Sequence, residues 1–334
     1  PHRDRLASEA GMSRNATGEN MCIDGKLVSE LYVLGTKNSA TSSLYMDLKP
    51  RGIKNMPDNG ETKEWPFFLG GGNCTKEKWL AKHKKCPPTP AHMVDWSVVN
   101  LFTVPMPPDL THSTIYGFPR KDGPVSEVLT VPHSTLSWNT PAHLVQWYGG
   151  SAQKLRFVVL LREPLSRAQS EWYHTHKLKN CLGCMARDNF VDALEFTAQL
   201  ALQSPPEITD LLWKSMYARH IEGWLKHFPA PKFTFIPYRY YTDVYTRDVA
   251  QFFIKQFGMQ HVSPWTKAAH ENFHLKPALL LELPATHKAR ALFSKFMAPE
   301  NARLVDVLQR CGKEGGHLFK LEGAPVKEWL ERGW

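Results

Sequence analysis

One run, Leu155 to Leu161 (LRFVVLL), does most to limit what this chain can fold into. It is apolar almost throughout and is the length of a single strand. A strand with no polar face must be covered on both sides, as central strands of a parallel sheet are. The run stops at Arg162, and Pro164 suits the first turn of a helix reaching about residue 178. A second unit of this kind comes earlier. Leu31 to Leu34 end at Gly35, a loop of small and hydroxyl residues follows, and Leu44, Tyr45 and Leu48 open an amphipathic helix. Phe233 to Pro237 reads as a further strand, with a helical pattern from about Asp243 to Phe257 after it. Strands alternating with helices predict an α/β fold whose ligand lies beyond the carboxyl ends of the strands.

The remaining segments are placed around that frame. Residues 1 to 28 are polar and aperiodic and read as a flexible leader. Lys63 to Phe68 suggests the edge of a buried strand, and Val125 to Val131 another strand. Between them, residues 69–125 read as an insertion covering one face. A short helix is expected over 141–149. The cleanest amphipathic period in the chain runs from Ile208 to Phe228, closed by Pro229, and further helical periods lie near 286–298 and 299–310.

Composition narrows the partners. Forty-one Lys and Arg against 32 Asp and Glu leave a formal charge of +9, which favours anionic ligands. The basic residues are scattered and no nucleic-acid motif is present, so nucleic acid is not expected. No stretch of about 18 apolar residues suggests a membrane span. The chain begins at Pro1, which leaves room for a signal peptide or membrane anchor ahead of it. Six cysteines and two glycosylation sequons, Asn15-Ala-Thr17 and Asn73-Cys-Thr75, point to the secretory pathway, with the cytoplasm as the alternative. The spacing of Cys74 and Cys86 suits a disulfide-closed loop. Cys181 and Cys184 have no second pair to complete a zinc site, so a local disulfide or thiols are expected there.

Three groups of polar residues follow the proposed strands. After the first come Gly35, Thr36, Lys37, Asn38, Ser39, Ala40, Thr41 and Ser42, a loop whose backbone N–H groups and small side chains suit an anion. After the central strand come Arg162, Ser166 and Ser170, a set of donors for a second phosphate. Glu64 sits in the aromatic segment. Taken singly, Arg162 could be a surface ion pair and Ser170 a solvated helix residue.

Together these residues resemble the sulfotransferases that use 3′-phosphoadenosine 5′-phosphosulfate (PAPS), most closely the Golgi heparan sulfate N- and 3-O-sulfotransferase type. Gly35 to Tyr45 is similar to that family's 5′-phosphosulfate loop, G-x-x-K-x-G-T-x-x-L. Lys63 to Phe68 is similar to its E-x-x-F-F segment, and Phe157 to Ser170 to its 3′-phosphate segment, R-[DE]-P-x-x-R-x-x-S. Tyr217 to Pro229 is similar to its Y-x-x-H-[LI]-x-x-W-L-x-x-F-P helix. Asn38 stands where the loop lysine is usual, with Lys37 one place early, and Ala40 stands where a glycine is usual. A substrate-side lysine is also missing near His133, and only Lys276 and Lys288 suggest the basic cofactor loop expected towards the C-terminus.

The resemblance implies one P-loop-like domain over 29–334, with a central, mainly parallel sheet flanked by helices. It implies PAPS as donor, PAP (3′-phosphoadenosine 5′-phosphate) as product, and no metal. Glu64 would be the general base, with His133 as the alternative. Lys37 would be the cation on the leaving group. Gly35 to Ser42 would hold the 5′-phosphate, and Arg162 with Ser170 the 3′-phosphate. The implied acceptor is a carbohydrate hydroxyl or amine in the Golgi lumen, on a glycosylated enzyme. The alternatives are a small alcohol, phenol or amine acceptor, a catalytically weakened polyanion-binding relative, and a P-loop kinase or NTPase. The last lacks its G-x-x-x-x-G-K-[ST] signature here.

Overall fold

The computed structural model describes residues 20–51, 53–55, 67–68, 74–105, 111–112, 139–177, 190–204, 206–244, 249, 251–254, 283–284 and 286–319. Glu64, His133, Lys276, Cys181, Cys184, the strand expected at Val125 to Val131 and both sequon asparagines lie outside these residues.

In chain order the elements begin with β1 (Cys22–Ile23), β2 (Lys26–Leu27), β3 (Leu31–Gly35), α1 (Thr41–Leu48) and β4 (Ile53–Asn55). Next come α2 (Lys76–Leu80), β5 (His92–Asp95), β6 (Thr111–His112), α3 (Thr140–Tyr148), β7 (Arg156–Leu161) and α4 (Pro164–Lys177). The rest are α5 (Phe190–Ala201), β8 (Glu207–Ile208), α6 (Asp210–Trp213), α7 (Tyr217–Leu225), β9 (Phe233–Pro237), α8 (Lys288–Lys313) and β10 (His317–Leu318). Among the described residues, six strands form one sheet in the order β4–β5–β3–β7–β9–β10, and every neighbouring pair is parallel. This is the P-loop-like α/β architecture, with β3 and β7 at its centre.

The apolar runs explain that placement. Along β3, Tyr32 and Leu34 enter one buried cluster while Leu31 and Val33 enter the other. Along β7, Phe157, Val159 and Leu161 alternate in the same way with Val158 and Leu160. Successive side chains of a strand point to opposite faces, so a continuous apolar run feeds two cores at once. One face is covered by α3, α5, α7 and α8 residues such as Leu144, Leu194, Trp224 and Leu304. The other is covered by Leu44 and Leu48 of α1 with Tyr241 and Phe253.

The structure departs from the sequence reading at several points. Residues 20–28, expected within a flexible leader, form an antiparallel β1–β2 hairpin. Leu27 N–H donates to Lys84 O (2.9 Å) and Cys86 N–H to Gly25 O (2.8 Å), which ties that hairpin to the segment before β5. The disulfide accordingly joins Cys86 to Cys22, across a sequence separation of 64, and not to Cys74. Cys74 instead donates its S–H to Phe67 O at 3.3 Å. Phe67 and Phe68, the two described residues of the strand edge expected over Lys63 to Phe68, make a short helical turn. The single helix expected over 208–228 is broken at Lys214–Met216 into α6 and α7. The two helical periods near the C-terminus form one helix, α8, with Pro299 inside it.

Candidate functional site

In an open parallel sheet, a crevice forms where connections leave in opposite directions from neighbouring strands. Here that point is β3 and β7. The chain leaves β3 for β4 and β5 on one side, and leaves β7 for β9 and β10 on the other. The loop Thr36–Ala40 and the residue Arg162 lie at the carboxyl ends of these two strands, so the structure brings them together.

The loop is shaped by close approach. Gly35 has φ +134°, and a Cβ there would lie 2.6 Å from the Val98 carbonyl oxygen. Thr36 N–H donates to Leu160 O at 2.8 Å, joining the loop to β7. The Thr36 and Ser39 hydroxyls are hydrogen-bonded to each other. Asn38 and Ala40 both adopt left-handed conformations, with φ +66° and +62°. Asparagine tolerates that region; alanine takes it at a cost. The left-handed backbone at residue 40 gives a physical reason for glycine to be usual there. Ala40 offers no side-chain cap to α1, and no acidic residue occupies the first turn of that helix. The positive end of the helix dipole therefore faces the loop without a side-chain cap from Ala40.

Arg162 is 9% exposed. Its Nη1 donates to Asn38 O at 2.7 Å and its Nε to Ser166 Oγ at 3.0 Å. The guanidinium lies over the Tyr238 ring, 4.6 Å from its centroid. Tyr217, the first residue of α7, donates its hydroxyl to Arg162 O at 2.8 Å and is also hydrogen-bonded to Thr36. One tyrosine thereby fixes both strand ends, and burial pushes its phenol up to about 12. Ser170 sits one turn beyond Ser166 on α4, half-buried. Glu163 caps α4 by accepting the N–H groups of Leu165 (2.7 Å) and Ser166. Burial pushes its carboxyl up to about 7, although those N–H groups, Arg162 and Arg290 pull the other way.

Behind the loop lies an ionic cluster that the sequence reading did not assemble. Lys37 Nζ is 3.7 Å from Glu171 Oε1, and Lys214 Nζ is 3.0 Å from the same oxygen. The other oxygen of Glu171 is taken by Nη1 of Arg167. Arg167 is wholly buried and also donates to Ser215 Oγ (3.1 and 2.8 Å) and to Leu211 O (2.7 Å). Burial pushes the Glu171 carboxyl up, but Lys214, Arg167 and Lys37 outweigh it and hold it at about 2. The break between α6 and α7 places Lys214 and Ser215 in this cluster. The i,i+4 spacing of Arg167 and Glu171 was the one signal visible in the sequence. Lys288, by contrast, pairs with Glu195 of α5 at 2.6 Å.

The arrangement suits a multiply charged anion. Lys37, Arg162, Arg167 and Lys214 outnumber Glu163 and Glu171, and an uncapped helix start adds to their field. The Nδ2 of Asn38 is buried with no hydrogen-bond partner among the described residues, a donor left over beside the loop. Buried polar groups without partners are uncommon and mark positions where a ligand can complete the bonding. Among the described residues, no group of three or more His, Cys, Asp or Glu side chains is placed to hold a metal ion.

No family model matches this chain, and no curated protein matches it in sequence. Among solved structures, the crystal structure of a sulfotransferase from Alicyclobacillus acidocaldarius is similar in fold, at a TM-score of 0.50 and 14% identity. The similarity covers 84% of this chain and 96% of that one.

Proposed function

We propose that this chain is a PAPS-dependent sulfotransferase acting on a hydroxyl or amine acceptor, a carbohydrate first among them. The observation that carries the reading is the joining of the β3–α1 loop to Arg162 at the point between β3 and β7. The fold shared with a bacterial sulfotransferase supports it. A nucleotide carrying phosphates at two positions needs two anion sites near each other. The loop with the α1 N-terminus offers one, and Arg162 with Ser166 and Ser170 offers the other.

PAPS, when bound, supplies an activated sulfuryl group. The chain's own residues position, neutralise and deprotonate. The N–H groups of the α1 start, with Thr41 and Ser42, hold the 5′-phosphate end. Arg162 and Ser170 hold the 3′-phosphate, and the left-over amide of Asn38 is a further donor at the loop. Lys37 is the cation for the leaving phosphate, where charge develops during sulfuryl transfer as it does in phosphoryl transfer. Glu64 takes the acceptor's proton, with His133 as the alternative base.

A kinase-type loop places its lysine at the helix start. Here Lys37 stands within the loop, four residues before α1 begins at Thr41. The Cys22–Cys86 disulfide supports an oxidising compartment, and with it a place in the secretory pathway, in the Golgi lumen.

Radiolabelled PAPS offered with a panel of polysaccharides and small alcohols, phenols and amines tests the reading. Label transfer is expected to a glycan. Glu64→Gln should cut the rate below about a tenth of wild type, since a general base typically contributes 10²–10⁴-fold, and should leave PAP binding intact. Polyanion binding without PAP binding would instead identify a non-catalytic relative.

A further inference from the structure

The Lys37–Glu171 contact has the geometry of a releasable pair. Its 3.7 Å separation exceeds a hydrogen bond, whereas Lys214 reaches the same oxygen at 3.0 Å and Arg167 binds the other. The Lys37 side chain is 29% exposed, against 19% for Lys214 and 0% for Arg167. Of the three cations placed on this carboxylate among the described residues, Lys37 is the weakest held and the one carried by the anion-binding loop.

We propose that Glu171 and Lys214 are positioning residues that hold Lys37 in reserve in the ligand-free protein and release it to the bound anion. Glu171 keeps the ammonium oriented beside the loop before the donor arrives. When Lys37 turns to the anion, Lys214 and Arg167 remain on Glu171, so no buried carboxylate is left without a cation. The arrangement accounts for a second lysine at the oxygen that Lys37 approaches. It also provides for a loop in which Asn38 occupies the usual lysine position. The inference rests on the proposed function for the identity of the anion, but not for the release itself.

The release predicts a gain of binding. Glu171→Gln removes the competitor for Lys37, so PAP should bind about threefold or more tighter by calorimetry, a coupling of the size that partly exposed ion pairs show. Structural damage would lower affinity instead. Lys214→Met, which removes the closer of the two lysines described at Oε1, should weaken binding by a similar factor. Both effects should shrink to less than about twofold when Lys37 is also replaced by methionine, because the coupling runs through that ammonium. Persistence of either effect at full size in the Lys37→Met background would show simple through-space charge and overturn the proposal, as would weaker binding by a folded Glu171→Gln protein. If Glu171→Gln does not fold, the Lys214→Met cycle decides alone. Inorganic pyrophosphate serves as a second probe. Binding of pyrophosphate but not PAP by the wild type would overturn the nucleotide reading and leave the release measurable; binding of neither would overturn both.

Discussion

Arg162 donates through Nη1 to the backbone carbonyl of Asn38 at 2.7 Å, so the residue just after β7 also fixes the middle of the loop after β3. Its Nε is committed to Ser166 at 3.0 Å. Guanidinium geometry permits both bonds while further N–H donors remain for an anion; a lysine ammonium has no such planar fork. Arg162→Lys should therefore keep the charge and still lose affinity. PAP binding is expected to fall about 10- to 100-fold, the scale of one or two charge-assisted hydrogen bonds. Calorimetry checks it, and unchanged affinity in Arg162→Lys would show that the guanidinium serves only the loop.

Gly35 and Val98 meet backbone to backbone. Gly35→Ala would set a Cβ 2.6 Å from the Val98 carbonyl oxygen at a φ of +134°, which side chains rarely adopt. Neither the carbonyl nor β3 can give way cheaply at the sheet centre. The substitution should cost about 2–4 kcal/mol of stability, read as a drop of several degrees in thermal midpoint, and should impair PAP binding through the displaced loop.

The sheet was legible because its central strands are apolar on both faces: LRFVVLL and the Leu31–Leu34 run need no partner residues to be recognised. Arg162 and the loop were legible because polar residues interrupt the chain just where such strands end. The ionic cluster was not. Glu171 and Lys214 are 43 residues apart, and in a sequence each looks like an ordinary solvated charge. The break that delivers Lys214 was hidden because Leu211, Leu212, Tyr217 and Ile221 keep a helical period across it. The disulfide partner was hidden for a related reason. Cys74 is near Cys86 in sequence, but the β1–β2 hairpin, read as leader, carries Cys22 to within 6.0 Å Cα to Cα of Cys86.

Closing a loop of 64 residues through Cys22 and Cys86 restricts the unfolded chain. On the chain-entropy account such a loop is worth about 4 kcal/mol. Cys86→Ser should lower the denaturation midpoint accordingly, and peptide mapping should find Cys22 linked to Cys86 in the wild type. Cys74→Ser should leave that cross-linked peptide in place. A Cys74–Cys86 peptide would refute the pairing.

Glu163 ties stability to pH in a direction opposite to most carboxylates. Its folded pKa is raised by burial from 4.5 to about 7. Between those values the unfolded state holds fewer protons than the folded state, so stability falls as pH rises. Its contribution is fully present below the unfolded value and lost as pH passes through about 7. Glu163→Gln keeps a neutral side chain with one oxygen for the α4 cap and should flatten that part of the profile. The measurement is the difference between wild-type and variant unfolding free energies from pH 5 to pH 8, which cancels the shared contribution of the 15 histidines. The same ionisation places a negative charge beside Arg162, so PAP affinity should also decline through neutral pH in the wild type and less so in Glu163→Gln. Parallel profiles for the two proteins would mean that Glu163 is already ionised at pH 5, with its two backbone N–H bonds and Arg162 outweighing its burial.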